Sequence, residues 1–313
     1  RSELNNKRGS MESIPELRNI CQKPKIESRE AIGYNYHGFK KRCDLKISIY
    51  FTWIFLRLGI PANAVTILSG IFCIIGGFLL SSRSIWIVVL GIVFFYIYSL
   101  LDHSDGDIAR YNKQSSILGT FLDWYVHLLR DAAMFTGLAI GSFADQPSVF
   151  IIICGFLSVL TPIFDKSVVG CGWTVISWNR LERIQKGTEI IDNPEGLDLN
   201  SDAALITEEQ GEKSINFIMI LVRRLWRIAI SIFQHHWSPL VLIILAITQI
   251  LINAIVSISF DFRHTLIIYT GLIGPIYVCI RLCRVIKNNT FEDRYKLLFS
   301  KRNDVNVRDY FFY

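Results

Sequence analysis

Residues 62–80 read ANAVTILSGIFCIIGGFLL and residues 85–101 read IWIVVLGIVFFYIYSLL, and neither stretch holds a charged side chain. A helix rises about 1.5 Å per residue, so about 20 apolar residues cross a hydrocarbon core roughly 30 Å thick. Helices without a polar face have nothing to offer water, which excludes the surface of a soluble domain. Four more runs are long and apolar enough to be expected spans: Gly119–Phe143, Ser148–Gly172, Trp237–Ile258 and Thr265–Ile286. The expected fold class is therefore all-α, a polytopic membrane protein of six transmembrane helices, Ala62–Leu80 and Ile85–Leu101 being the first two.

The whole composition agrees. Of 313 residues, 51% are hydrophobic and only 19% are charged, too few to wet a soluble surface of this size. The net charge of +6 is too modest to imply a nucleic-acid partner, and none is expected. The first forty residues lack the apolar centre of a signal peptide; Arg1–Ser10 read as a tail ahead of Met11, a candidate start.

Basic residues fix the expected orientation. With six spans, the loops 81–84, 144–147 and 259–264 share one side and carry only Arg83 and Arg263; Arg130 and Lys166 lie within spans. All other Lys and Arg fall on the opposite side, so both termini are expected in the cytoplasm of a multi-pass cell-membrane protein. Phe39–Leu58 mixes Lys40, Lys41, Arg42, Lys46 and Arg57 with Phe51, Trp53 and Phe55, the composition of an amphipathic helix at the cytoplasmic interface. Ile215–Phe233 repeats the theme around Arg223, Arg224 and Arg227, and Asp192–Glu212, with seven carboxylates and no basic residue, reads as a solvated connector. The expected layout is a tail over 1–38, a membrane domain over 39–286 with a cytoplasmic insertion near 173–236, and a tail over 287–313. The seven cysteines form no CxxC pair and are expected to be reduced and structural, and His235 and His236 read as interfacial polar residues.

Chemistry concentrates in Leu101–Asp131, LDHSDGDIARYNKQSSILGTFLDWYVHLLRD. Asp102 and Asp105 stand three apart, Asp123 and His127 four apart, so on helices each pair shares a face. Asp123, His127, Arg130 and Asp131 continue into an apolar run, where ionisable groups are expensive and mark function. Clustered carboxylates repel unless a cation lies between them; an oxygen-rich set suits Mg²⁺ or Mn²⁺, and an imidazole moves the preference towards Mn²⁺. Gly106, Ala109 and Gly119 leave room for close approach, and Arg110 offers a guanidinium to a phosphate. Together these suggest a nucleoside diphosphate held by metal at the cytoplasmic face.

The pattern Asp102-x-x-Asp105-Gly106-x-x-Ala109-Arg110, then eight residues, then Gly119-x-x-x-Asp123-x-x-x-His127 resembles the signature of the CDP-alcohol phosphotransferases, D-x-x-D-G-x-x-A-R-x8-G-x-x-x-D-x-x-x-D. The family's Pro-Asn-x-x-Thr element is echoed by Pro61-Ala62-Asn63-Ala64-Val65-Thr66, with the proline one place early. The resemblance implies transfer of a substituted phosphate from a CDP-linked donor to a hydroxyl acceptor, with release of CMP, in phospholipid or glycolipid biosynthesis. It implies that Asp102, Asp105 and Asp123 hold one or two Mg²⁺ or Mn²⁺ ions. Asn63, Thr66, Asp105, Gly106, Ala109, Arg110 and Gly119 would line the nucleotide site. It also implies a homodimer beside membrane lipid.

His127 departs from the family, whose fourth carboxylate binds metal and serves as general base; an imidazole is a competent base near neutral pH. Asp131, four residues on, could orient His127 through its second ring nitrogen or supply the missing carboxylate, and Arg130 could neutralise Asp131. The donor is expected to be a CDP-lipid such as CDP-diacylglycerol, with a polar CDP-alcohol and a lipid acceptor as the alternative. A non-catalytic nucleotide- or lipid-binding scaffold is the reading from another class. Arg130, Asp131, Asp165 and Lys166 would instead line the path of a transporter.

Overall fold

The computed structural model describes residues 12–24, 26, 39–113, 116–185, 239–256 and 260–287. Among the described residues there is no strand. The helices are α1 (Ile14–Leu17, continued by a π-helical turn at Arg18–Gln22), α2 (Phe39–Leu58), α3 (Ala62–Leu80), α4 (Ile85–Tyr111), α5 (Ile117–Asp145), α6 (Val149–Gln185), α7 (Pro239–Val256) and α8 (Phe262–Lys287). The expected interfacial stretch Ile215–Phe233, the acidic connector, and His235 and His236 lie outside the described residues.

Helices occupy all six expected spans, but four are long and apolar enough to cross a membrane: α3, α4, Val149–Trp178 of α6, and α8. Among the described residues, length and composition alone thus establish four of the six expected spans. The shortfall has a physical cause at each missing member. Helix α5 carries Asp123, Arg130 and Asp131 along its length, and the apolar part of α7 is only Val241–Ile255.

Short side-chain caps set the helix starts. The Ser116 hydroxyl accepts the Gly119 amide at 2.9 Å and opens α5. Ser13 and Glu16 form a capping box at α1, and its two hydrogen bonds hold the exposed Glu16 carboxyl below the usual carboxylate range. Between α2 and α3, Gly59 takes φ 69°, where a side chain would strain the turn.

Helix α3 packs against α4 and α5, and α6 against α5 and α8, while α2 rests on α4. The core joins Cys73, Ile92, Phe95, Tyr98, Met134, Phe135, Leu138, Leu242 and Phe262. Backbones meet where glycines face each other: a Cβ on Gly137 would lie 2.1 Å from the Gly77 carbonyl oxygen, and one on Gly77 2.5 Å from that of Ala133. Small residues repeat the device between α6 and α8, where Gly271 faces the Cys154 backbone. At the end of the bundle away from the charged motif, Arg263 is 4% exposed, contrary to its expected place in a wetted loop. It pairs with Asp261 at 2.6 Å and donates to the carbonyls of Leu80 at 3.2 Å and Ser82 at 2.6 Å, capping the end of α3. Of the seven cysteines, Cys21, Cys73 and Cys154 are buried and Cys171, Cys279 and Cys283 are exposed.

The glycine contact between α3 and α5 yields a direct prediction. Gly137→Ala drives a methyl into the backbone of α3 and costs about 1–3 kcal/mol, read as a lower unfolding midpoint in detergent. Gly170→Ala, with nothing within 4 Å of the new Cβ, leaves the midpoint unchanged or raises it.

Candidate active site

Helix α4 continues without a break from its apolar stretch through the motif to Tyr111. The expected loop 102–118 therefore shrinks to the stretch between Tyr111 and Ile117, with Asn112 and Lys113 turning out of α4. Lys113 takes φ 51° within it. Asp102, Asp105, Gly106, Ala109 and Arg110 ride the end of one rod, and Asp123 and His127 the opening turns of the next.

The turn brings the two faces together. His127 Nε2 lies 3.6 Å from Asp102 Oδ1 and 3.5 Å from Asp123 Oδ1. Asp102, Asp123 and His127 each offer a ligand atom within 4.8 Å of the other two. The three side chains are 22%, 46% and 32% exposed, open enough for a substrate. Two carboxylates at that separation repel by about 3.5 kcal/mol at an effective dielectric of 20, and more towards the membrane. Mg²⁺ or Mn²⁺ at about 2.1 Å from its ligands spaces neighbouring donors about 3 Å apart. Two carboxylates and one imidazole are thus the ligand set of a hard divalent cation, which would draw them closer together.

Asp105 stands outside that trio. It is buried, and its Oδ2 accepts the Thr66 hydroxyl at 2.6 Å. The expected nucleotide-site residues Thr66 and Asp105 therefore meet across α3 and α4. Asn63 and Gly119 also meet: a Cβ on Gly119 would lie 3.1 Å from Asn63 Oδ1. Ala109 is half-buried on α4. A Cβ on Gly106 would lie 3.4 Å from both terminal nitrogens of Arg110, so the guanidinium lies along the bare backbone of that glycine.

Asp131 makes the expected pair with Arg130 and not the expected contact with His127. It is buried and paired with Arg130 at 2.5 Å and with Lys166 at 2.7 Å. Lys166 also donates to the His127 carbonyl oxygen at 2.7 Å. Asp131 thus neutralises two cations below the site, and the His127 Nδ1 proposed to face it is bonded to the Tyr98 hydroxyl instead, at 2.7 Å. The transporter path loses its charges to the same pairing, since Asp165 bonds to Arg281 of α8. Lys166, 39 residues from His127 in sequence, is tied to the site by tertiary contact rather than snorkelling at a boundary.

Other residues of the site give no motif signal. Asp107 is fully buried, receives the Gln22 amide at 3.1 Å and holds Arg110 Nη2 at 2.5 Å. The Cys21 carbonyl accepts from Arg110 Nε at 2.8 Å, and Tyr111 donates to Glu12 at 2.5 Å. The segment before α2 is therefore strapped across the motif end of α4. Burial pushes the Cys21 thiol up to about 12, with the Asp107 charge adding to it. Asp107 follows Asp105 by two residues, about 200° around the helix, so the face that the motif predicts excludes it.

A second grouping, Asp145, Asp261 and His264, lies at the opposite end. There the Asp261 carboxylate is already held by the Arg263 guanidinium through both oxygens, at 2.6–3.1 Å, which leaves poor ligands for a cation.

Residues 60–185 match the family model described as CDP-alcohol phosphatidyltransferase. The match takes in α3, α4, α5 and α6, with every site residue of the motif, and marks a transferase of substituted phosphate groups. No curated protein matches the chain.

The two acidic groupings separate by titration with Mn²⁺. Asp123→Asn is expected to weaken binding at least tenfold by calorimetry, because it removes a charged ligand. Asp145→Asn, at the far end of the bundle, leaves the affinity unchanged.

Proposed function

We propose that this CDP-alcohol phosphatidyltransferase domain works in a six-span cell-membrane bundle with its site and both termini in the cytoplasm. It moves a phosphatidyl or similar substituted phosphate from a CDP-linked donor to a hydroxyl acceptor in lipid biosynthesis. The convergence of Asp102, Asp123 and His127 carries this reading, since it supplies both a cation site and a base within one opening. CDP-diacylglycerol is the favoured donor and a polar alcohol the favoured acceptor. A homodimer is the proposed assembly, and α2 the interfacial helix.

In the transfer, the acceptor oxygen forms a bond to the phosphorus that bears the lipid substituent, and the bond from that phosphorus to the bridging pyrophosphate oxygen breaks. CMP leaves with that bond's electron pair, and the acceptor proton goes to His127 Nε2 or, through it, to water. Mg²⁺ or Mn²⁺ held by Asp102 and Asp123, with Asp105 beside them and His127 as third ligand before the acceptor enters, would neutralise the pyrophosphate and the leaving CMP; the single Nε2 lone pair serves the cation or the acceptor proton in turn. Asn63, Thr66, Gly106, Ala109 and Gly119 shape the nucleotide side, and Arg110 presents a cation to a donor phosphate. Asp131 acts from behind, by fixing Arg130 and Lys166.

The test is CMP release by the purified protein with and without Mg²⁺ or Mn²⁺. CDP-diacylglycerol with a pool of polyols is compared with CDP-choline or CDP-ethanolamine plus diacylglycerol. Metal-dependent CMP in the first arm is expected, and CMP in the second arm alone would reverse the donor assignment. His127→Ala is expected to lower kcat by about 10²–10⁴-fold, whereas His127→Asp retains part of it. Full activity of His127→Ala would remove the base from this helix.

A further inference from the structure

Tyr98 lies on α4 one helical turn before Asp102, in a stretch that reads as plain apolar span, and it is 3% exposed. A buried hydroxyl needs a partner, and this one has two. Its oxygen lies 2.7 Å from His127 Nδ1 and 3.2 Å from Asp102 Oδ1. The ring meets the imidazole edge-on, with centroids 6.3 Å apart and planes at 81°, and the Arg130 guanidinium lies 5.7 Å from the tyrosine ring centre.

We propose that Tyr98 is the positioning residue for His127, fixing the ring so that Nε2, and not Nδ1, faces the Asp102–Asp123 pair. The inference rests on the proposed function only for what Nε2 does once it is there. An imidazole turned over about its Cβ–Cγ bond would set a C–H against the tyrosine oxygen and lose the bond, so the hydroxyl selects one of two otherwise similar orientations. The hydroxyl also selects the tautomer: its own proton goes to Asp102 Oδ1, so its oxygen accepts from a protonated Nδ1. The Nε2 lone pair is then directed between the two carboxylates, free to meet a cation or an acceptor proton. Partners standing behind a ligand in this way commonly contribute 10–100-fold to metal affinity or activity.

A carboxylate at position 127 would have no second ring nitrogen to hold, which gives the inference a test that a packing role fails. Tyr98→Phe keeps the ring, its edge contact and its face towards Arg130, and removes only the hydroxyl. The full chain in lipid nanodiscs is titrated with Mn²⁺ alone, as wild type, Tyr98→Phe, His127→Asp and the double variant. The expected result is about a tenfold loss of affinity from Tyr98→Phe when position 127 is histidine, and less than twofold when it is aspartate. An equal loss in both backgrounds would assign the effect to Asp102 or to packing and overturn the proposal, as would no loss with histidine. Ring ¹⁵N spectra of His127 give a second reading that needs no variant at 127. One fixed tautomer in wild type and a mixture of both in Tyr98→Phe is expected; the same populations in both proteins would overturn it. If the Mn²⁺ pattern holds while no donor yields CMP, the transferase reading fails and the positioning role stands.

Discussion

Charge inside an apolar bundle has to be neutralised locally, and most of this structure follows from where that is done. Asp131 is matched by Arg130 and Lys166, Asp165 by Arg281, and Asp261 by Arg263. Each pairing crosses between helices or caps a helix end, so neutralisation also fixes helix placement. An uncompensated ion at such depth costs several kcal/mol, enough to undo a membrane fold. Asp102 and Asp123 are the contrast. They are brought together with His127, at the more exposed end of the same two helices.

Helix approach is the second constraint, and it acts through missing atoms. Gly77 and Gly137 let α3 and α5 touch backbone to backbone, and Gly76 and Gly91 do the same for α3 and α4. Helix α3 therefore sits close against both motif-bearing helices. That closeness lets Thr66 reach Asp105 and places Asn63 beside Gly119. The segment ahead of α2 adds a lateral restraint, since Gln22 and the Cys21 carbonyl hold Asp107 and Arg110 from outside the bundle.

Hydropathy locates these helices well and their ends less well. The stretch read as Ala62–Leu80 is α3 to the residue. The next run, cut at Leu101 by the appearance of charge, continues as helix for another ten residues to Tyr111. Charge marks where a helix leaves the apolar region, whereas its end is set by backbone capping, here at Asn112. The same effect carries α6 to Gln185. In the site, spacings of three and four residues correctly set Asp102 and Asp123 on facing helix surfaces with His127, because those distances are local. The pairing of Asp131 with Arg130 was legible, but the Tyr98 partner of His127 and the Lys166 partner of Asp131 were not. Tyr98 looks like any aromatic residue of a span, and Lys166 reaches Asp131 from another helix; a single sequence carries no trace of such long-range contacts. The assignment of Asp131 to His127 failed for that reason, its stripe position being right and its neighbours unknown.

The divalent ion proposed to be shared by an imidazole and two carboxylates on α4 and α5 is tested most directly through its ligand nitrogen. Electron spin-echo measurement of the protein loaded with one equivalent of Mn²⁺ reads the ligand nitrogen directly. A ¹⁴N modulation from a coordinated imidazole, absent in His127→Asp while the Mn²⁺ remains bound, is the expected result. Bound Mn²⁺ with no nitrogen coupling in the wild-type protein, or coupling that survives His127→Asp, would contradict it.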